Sequence, residues 1–364
     1  MHIIHIVRDL DIASGGPSRS VPALAEHQAR HSNIQVTVQF QDRGNPLVHM
    51  ANSAVKYEAM TGRGQGRDPK AKSGNGLFFH LHGLWSLDLH RAAKLARSKR
   101  IPYVVSTRGM LANWALGHKA LKKKIAWKLY QQRDLENAAC LLASTEFEQQ
   151  DVEALLAGSR VVAIPNGCVA RPVNSAVADI LPDFAGSRWA LAMGRLHPVK
   201  GYAELIKAWA GVDPAGWKLA IAGPDEAGYR STLEALITKH GLGDSVFLTG
   251  EVDDNQKWAL FDQCELFVAP SRTENFGMAI AEALQSGTPV ITTKGTPWLE
   301  LVEHECGWWV DNDPQALEQA LREATTSSAS ELVDMGANGK ALIQDKYTWD
   351  QVADRTIELY RSII

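Results

Sequence analysis

Cysteine is scarce in this chain. Cys140, Cys168, Cys264 and Cys306 stand far apart and form no CxxC pair, so neither a disulfide framework nor a zinc site is expected, and a reducing cytoplasm is the simplest home. Long apolar runs are missing too: none approaches the ~20 residues that span a bilayer. The opening MHIIHIVRDL lacks the cationic start and long apolar core of a secretory leader. A soluble or membrane-peripheral protein is therefore expected. No GxGxxG follows a strand, and Gly62, Gly64 and Gly66 fall in a polar segment, which argues against a dinucleotide-dependent dehydrogenase. Asp9-Leu-Asp11 and Asp311-Asn-Asp313 superficially resemble a metal-binding DxD, but neither adjoins the motifs described below. They read as loop acids, and no metal or other cofactor is expected. No nucleic-acid-binding motif is present, so no nucleic-acid partner is expected. No internal repeat stands out.

The chain has 364 residues, 45% hydrophobic and 22% charged, a globular composition too long for one ordinary core and suited to two domains of about 170 residues each. Strand-like and helix-like segments alternate. His2 to Val7 reads as a strand, followed by a loop with Gly15-Gly16-Pro17 and a helix from Val21 to Arg30. Asn33 to Phe40 is a second strand. Gln41 to Gly76, rich in Gly, Lys, Asn and Arg, reads as a long mobile insertion, a candidate acceptor-side flap. Further strands are expected at Leu77 to Leu81, Tyr103 to Ser106, Leu141 to Ser144 and Val161 to Ile164. These assign residues 1–168 to a first doubly wound α/β domain, 169–187 to a linker and 188–345 to a second such domain. Residues 346–364 form a last helix, Trp349 to Ser362.

The densest stretch is Ser271 to Thr293, SRTENFGMAIAEALQSGTPVITT. The strand Leu266 to Ala269 precedes it, and Met278 to Gln285 reads as a helix. Glu274 then lies on the turn and Glu282 about one to one and a half turns inside the helix. Between them Phe276, Gly277 and Met278 offer backbone N–H groups at a helix start, where unsatisfied donors and the dipole favour phosphate. Gly277 permits close approach. Two glutamates so spaced also arise on solvated helix faces. A second motif adds weight: the strand-like WALAMG, Trp189 to Gly194, runs into a turn flanked by Arg195 and Lys200, a fork and a point charge suited to a diphosphate at a strand end.

Together these residues resemble glycosyltransferase family 4, and the resemblance covers nearly the whole chain. Its G-R-x-x-x-x-K-G pattern matches Gly194 to Gly201, and E-x7-E matches Glu274 and Glu282. The resemblance implies a GT-B fold, two Rossmann-like domains facing across a cleft. It implies a retaining transferase that moves a sugar from a nucleotide diphosphate sugar, UDP-linked ahead of GDP-mannose, to a lipid-linked or glycan acceptor in bacterial lipopolysaccharide or exopolysaccharide synthesis. Arg195 and Lys200 would hold the diphosphate, Glu282 the ribose, and Glu274 with the following amides the transferred sugar. Gly15 and Gly16 match a loop approaching the donor phosphate, His82 a histidine beside the donor sugar. The family usually has Gly at Asn275 and Leu or Val at Met278. The last helix would cross back to the first domain. The competing functions are a sugar-nucleotide epimerase or phosphorylase on the same fold, and a nucleotide-sugar-binding protein without activity.

Arg108, in the segment Arg108-Gly109-Met110-Leu111 after Val104-Val105-Ser106-Thr107, which also resembles a family segment near the cleft, is a candidate for an acceptor phosphate or the donor; a salt bridge within the domain is the alternative. Trp298, Trp308 and Trp309 suit either a sugar subsite or core packing. Charge is uneven: residues 1–168 hold 22 Lys and Arg against 13 Asp and Glu, the remainder 16 against 28. Much of the first excess lies in Gly117 to Arg133, where Lys119, Lys122, Lys123, Lys124 and Lys128 accompany Leu121, Ile125, Trp127 and Leu129. This reads as a basic amphipathic helix resting on the anionic cytoplasmic face of the inner membrane, or as one packed by its apolar face onto the domain.

Overall fold

Uninterrupted apolar runs suit strands buried on both faces of a parallel sheet, and every strand pair in the structure is parallel. The computed structural model describes residues 1–11, 16–42, 54–60, 76–117, 119–168, 181, 184, 186–212 and 214–364. It divides into two units: Met1–Gly167 with Trp349–Ile364, and Cys168–Thr348.

Among the described residues unit one has seven strands: β1 (His2–Asp9), β2 (Gln35–Gln41), β3 (Lys56–Ala59), β4 (Leu77–His82), β5 (Tyr103–Ser106), β6 (Cys140–Ala143) and β7 (Val161–Ala163), ordered β3-β2-β1-β4-β5-β6-β7. Unit two has six: β8 (Arg188–Met193), β9 (Trp217–Ala222), β10 (Val246–Gly250), β11 (Leu266–Ala269), β12 (Val290–Thr293) and β13 (Gly307–Val310), ordered β10-β9-β8-β11-β12-β13. Both are doubly wound. Each order reverses once, between β1 and β4 and between β8 and β11, the point where such sheets leave a crevice at the carboxyl ends of the strands.

Side chains alternate across each strand. In unit one Ile4, Ile6, Phe79, Leu81 and Val105 face one core, while Ile3, Val7, Phe78, Val104 and Leu142 face another. His5, His80 and His82 share the second face by register, since His5 pairs with His80 and Val7 with His82. The helix Trp349–Arg361 closes that face, burying Val352, Ile357, Leu359 and Tyr360. At about 1.5–3 kcal/mol per large apolar side chain, this outweighs its surface ion pairs from Asp350 to His27 and Arg30, each worth at most about 1 kcal/mol.

Three local expectations are corrected. The helix expected from Val21 begins at Gly16, and its first turns bury Ser18 and Ser20. β3 lies inside the stretch expected to be a loose insertion; KYEA has no apolar run, and its pattern of partial exposure is that of an edge strand. The flap reading otherwise falls outside the described residues, as does most of the 169–187 linker. The single helix expected over Gly117 to Arg133 is instead broken at Lys119, which is left-handed (φ 53°), resumes at Ala120–Ala126, and widens to a π-turn at Trp127–Gln131 before Gln132–Glu136.

Candidate functional site

Two motifs far apart in sequence meet at the switch point of unit two. β8 leads through Gly194 and Arg195 into a 3-10 turn, Pro198–Lys200, and the helix Tyr202–Val212. Its neighbour β11 leads through Ser271 and Glu274 into the helix Met278–Ser286. The loops are tied together. Arg272 N–H donates to the Val199 carbonyl at 2.8 Å, and Gly201, at φ +73°, passes so near the Pro270 carbonyl that a Cβ would overlap its oxygen. Within this frame Lys200 Nζ donates to Glu274 Oε2 at 2.5 Å, with the side chains 21% and 25% exposed. Arg195 Nη1 donates to Glu226 Oε2 at 2.5 Å near the surface. Glu282 accepts from Lys257 Nζ at 2.7 Å, a largely buried pair whose ammonium lies 4.9 Å from the Trp258 ring centroid.

Gly277 caps the helix at φ +85°, where a Cβ would press on Ile280 and the Trp298 indole. Ile280 N–H is bonded to the Gly277 carbonyl at 2.9 Å, so the amides just before it precede the helical ladder, and no side chain caps them. Asn275 is half-buried on the turn, and Phe276 is buried. Trp298 resolves to the packing alternative: 1% exposed, it donates Nε1–H to the Phe276 carbonyl at 2.5 Å and supports the turn from beneath. Trp309 donates to the Thr296 carbonyl and Trp308 to Glu323, which are likewise structural bonds. Asp311 pairs with Lys294 and Asp313 caps the helix Pro314–Thr326, so these acids have local work.

In unit one His82 ends β4 and is 3% exposed. Arg108, which can only donate, gives Nη2–H to His82 Nδ1 at 3.1 Å. His82 must then carry its proton on Nε2, which donates to His5 Nδ1 at 2.8 Å, and His5 Nε2–H donates to Gln28 Oε1 at 2.7 Å. His80 bonds the Tyr360 hydroxyl at 2.5 Å and Ser106 Oγ at 2.7 Å. Burial pushes all three imidazoles toward the neutral form, His5 down to about 4, with the Arg108 charge adding to it. The trio has metal-ligand character by residue type, but all six ring nitrogens are hydrogen-bonded and a guanidinium stands beside them, a poor setting for a cation. Gly16 opens the helix Gly16–Ala29, and Gly15 lies outside the described residues.

The salt-bridge alternative for Arg108 is not what the structure forms. Its guanidinium bonds Ser20 Oγ at 2.9 Å and His82, both neutral. The nearby carboxylate, Glu148, is instead occupied by Thr107 Oγ1–H at 2.6 Å, Ser144 N–H at 2.7 Å and the Gly109 amide. On the basic helix, Leu121, Ile125 and Leu129 are 74%, 53% and 76% exposed, one stripe at four-residue spacing, with Lys119, Lys122, Lys124 and Lys128 also exposed. Packing of the apolar face onto the domain is thereby overturned for these three. Trp127 and Lys123 turn inward, Trp127 against Trp85 and Lys123 over the same ring at 5.6 Å. Sequence reading missed His5, Gln28, Glu148, Lys257 and Glu226. The HLH spacing of His80 and His82 put those two on one face of a strand, since residues two apart share a face; all five missed residues depend on tertiary register.

Residues 179–342 match the family of glycosyl transferases group 1, and 75–167 match the glycosyl transferase 4-like domain. The GDP-mannose:cellobiosyl-diphosphopolyprenol alpha-mannosyltransferase of Xanthomonas campestris is 27% identical over 100% of this chain and 97% of its own length. The lipopolysaccharide core biosynthesis mannosyltransferase LpsB of Rhizobium meliloti is 27% identical over 47% of this chain and 50% of its own. Among solved structures, Anabaena HepE in complex with UDP superposes with a TM-score of 0.78 at 20% identity, covering 100% of both chains. Sucrose-phosphate synthase from Thermosynechococcus elongatus gives 0.75 at 19%, covering 100% and 99%.

Proposed function

The chain belongs to the glycosyltransferases of group 1 with a family 4-like first domain, on the GT-B fold, and from that membership we propose that it transfers mannose from GDP-mannose, with retention of configuration, to a diphosphate-linked lipid glycan. The relatives move GDP-mannose ahead of the UDP-sugar favoured from sequence, because the mannosyltransferase of X. campestris aligns along the whole chain. The observation that carries the chemistry is the convergence of Arg195, Lys200 and the uncapped start of Met278–Ser286 at the unit-two switch point.

Charge develops on the leaving diphosphate as the glycosidic bond breaks. Arg195, Lys200 and the amides of Gly277 and Met278 are preorganised to take it up, so no metal ion is required in this reading. Lys200 exchanges its bond to Glu274 for one to phosphate, and Glu274 turns to the sugar hydroxyls with Asn275 and Phe276 shaping the turn. Glu282, held by Lys257, receives the ribose. His82, kept neutral, is the unit-one group assigned to the sugar side. A panel of nucleotide sugars at one shared concentration tests the donor: GDP-mannose should give the largest stabilisation, about 2.7 kcal/mol where that concentration is 100 times its dissociation constant, and transfer should persist in excess chelator. A larger shift with UDP-glucose, or activity restored only by Mn²⁺, would displace this assignment.

The acceptor's lipid carrier is met at the anionic cytoplasmic face of the inner membrane, through the exposed Leu121, Ile125 and Leu129 stripe and its flanking Lys119, Lys122, Lys124 and Lys128. Each lysine near such a surface adds about 1 kcal/mol. Among the described residues no helix is long and apolar enough to cross a membrane. Sedimentation with anionic liposomes should fall with salt and on joint Lys122, Lys124 and Lys128→Glu substitution; binding unchanged by both sinks the membrane reading.

A further inference from the structure

Arg108 is a cation shielded within unit one; among the described residues its guanidinium hydrogen-bonds no carboxylate, and Glu148 acts on it only through its nearby charge. Its backbone is left-handed at φ 52°, a conformation that a residue with a Cβ adopts at a cost. The turn is held there by Glu148, whose oxygens take the flanking Thr107 hydroxyl and the Gly109 and Ser144 amides, and none of the guanidinium. A buried carboxylate is thus used to fix the turn that aims the arginine, although pairing with it directly would relieve both charges. Burial depresses the guanidinium to about 10.

The guanidinium borders a cavity of about 30 Å³, more than the ~10–15 Å³ one water needs. Its polar lining includes Ser20, Ser106, Ser144 and Asn166, and among the described residues that line it there is no Asp or Glu. Two buried N–H donors on lining residues, Arg108 Nε and Trp349 Nε1, have no acceptor among the described residues. Orphaned donors, a cation and hydroxyls without an acid are the recognition chemistry of a small oxyanion.

We propose that this cavity is an oxyanion site that holds a phosphoryl group of the acceptor, independently of the nucleotide diphosphate taken by unit two. The ligand class rests on the diphosphate-linked acceptor proposed above. Arg108 then acts as a binding residue whose charge the acceptor completes.

The test uses the full-length chain saturated with GDP, titrated with inorganic phosphate while thermal unfolding is followed. Phosphate should stabilise the parent, Arg108→Met should lose the response, and Arg108→Lys, which keeps the charge but not the fork, should retain a response weakened about tenfold. In steady-state transfer Arg108→Met should raise the acceptor KM about 10- to 100-fold and leave the GDP-mannose KM unchanged. No phosphate response in the parent, a response eliminated by GDP, or a KM effect confined to the donor each overturns the proposal. Failure of the parent to transfer mannose would instead overturn the proposed function, since the phosphate titration requires no turnover.

Discussion

Both units place cations at the carboxyl ends of their strands, and they keep them in opposite states. In unit two Lys200 and Arg195 are each neutralised by a glutamate, Glu274 and Glu226. In unit one the hydrogen-bond partners of Arg108 among the described residues are Ser20 and His82, while Glu148 is committed to the backbone beside it. A paired cation binds phosphate by exchange, gaining the difference between two ionic bonds. A cation among neutral partners costs the fold stability and returns it to whatever anion arrives.

The comparison breaks first at Glu148. Glu148→Ala should strand the Thr107, Gly109 and Ser144 donors and lower unfolding stability by about 3–5 kcal/mol in urea titration; a loss below about 1 kcal/mol would deny that the carboxylate holds the Arg108 turn. Next is pH. The three histidines are neutral when folded and accept protons when unfolded near 6.5, so unfolding takes up protons and stability should fall as pH drops through 6.5. His5 alone, lowered to about 4, would remove roughly 3 kcal/mol by pH 4. His82→Gln should flatten that slope, and stability independent of pH over this window would contradict neutral burial.

Smaller effects sharpen the contrast in unit two. Lys200→Met should weaken GDP binding about 10- to 100-fold by calorimetry, and the more exposed Arg195→Met should weaken it less; equal affinity in both variants would remove the diphosphate from this turn. Glu226→Gln should act in the opposite direction, tightening GDP about two- to fivefold because Arg195 no longer has to exchange partners. Weaker binding in that variant would mean Glu226 positions Arg195 rather than competing for it.

The unit-two motifs were legible because each is local: a buried strand, a turn with charged residues at fixed offsets, and a helix start all lie within a dozen or so consecutive positions. The doubly wound folds were legible for the same reason, from apolar runs alternating with helices. The unit-one arrangement was not. Arg108 and His82 could be named, but the chain His82–His5–Gln28 needs β1 beside β4 in one register, and the Tyr360 hydroxyl on His80 comes from the far end of the sequence. KYEA reads as loop because an edge strand needs no apolar run, and the break at Lys119 reflects local geometry that an amphipathic pattern does not encode.

The helix Trp349–Arg361 also sets a timetable. Its Tyr360 and Ile357 lie in the unit-one core, yet they follow the whole of Cys168–Thr348 in the chain. At about 5–20 residues per second, a ribosome finishes the other strands of unit one roughly 10–40 s before releasing the piece that covers them. During that interval Phe78, Val104 and the histidine column lack their lid. The intervening unit can complete itself first, and the nascent chain is left with an uncovered apolar face as its point of greatest exposure to chaperones and misassembly.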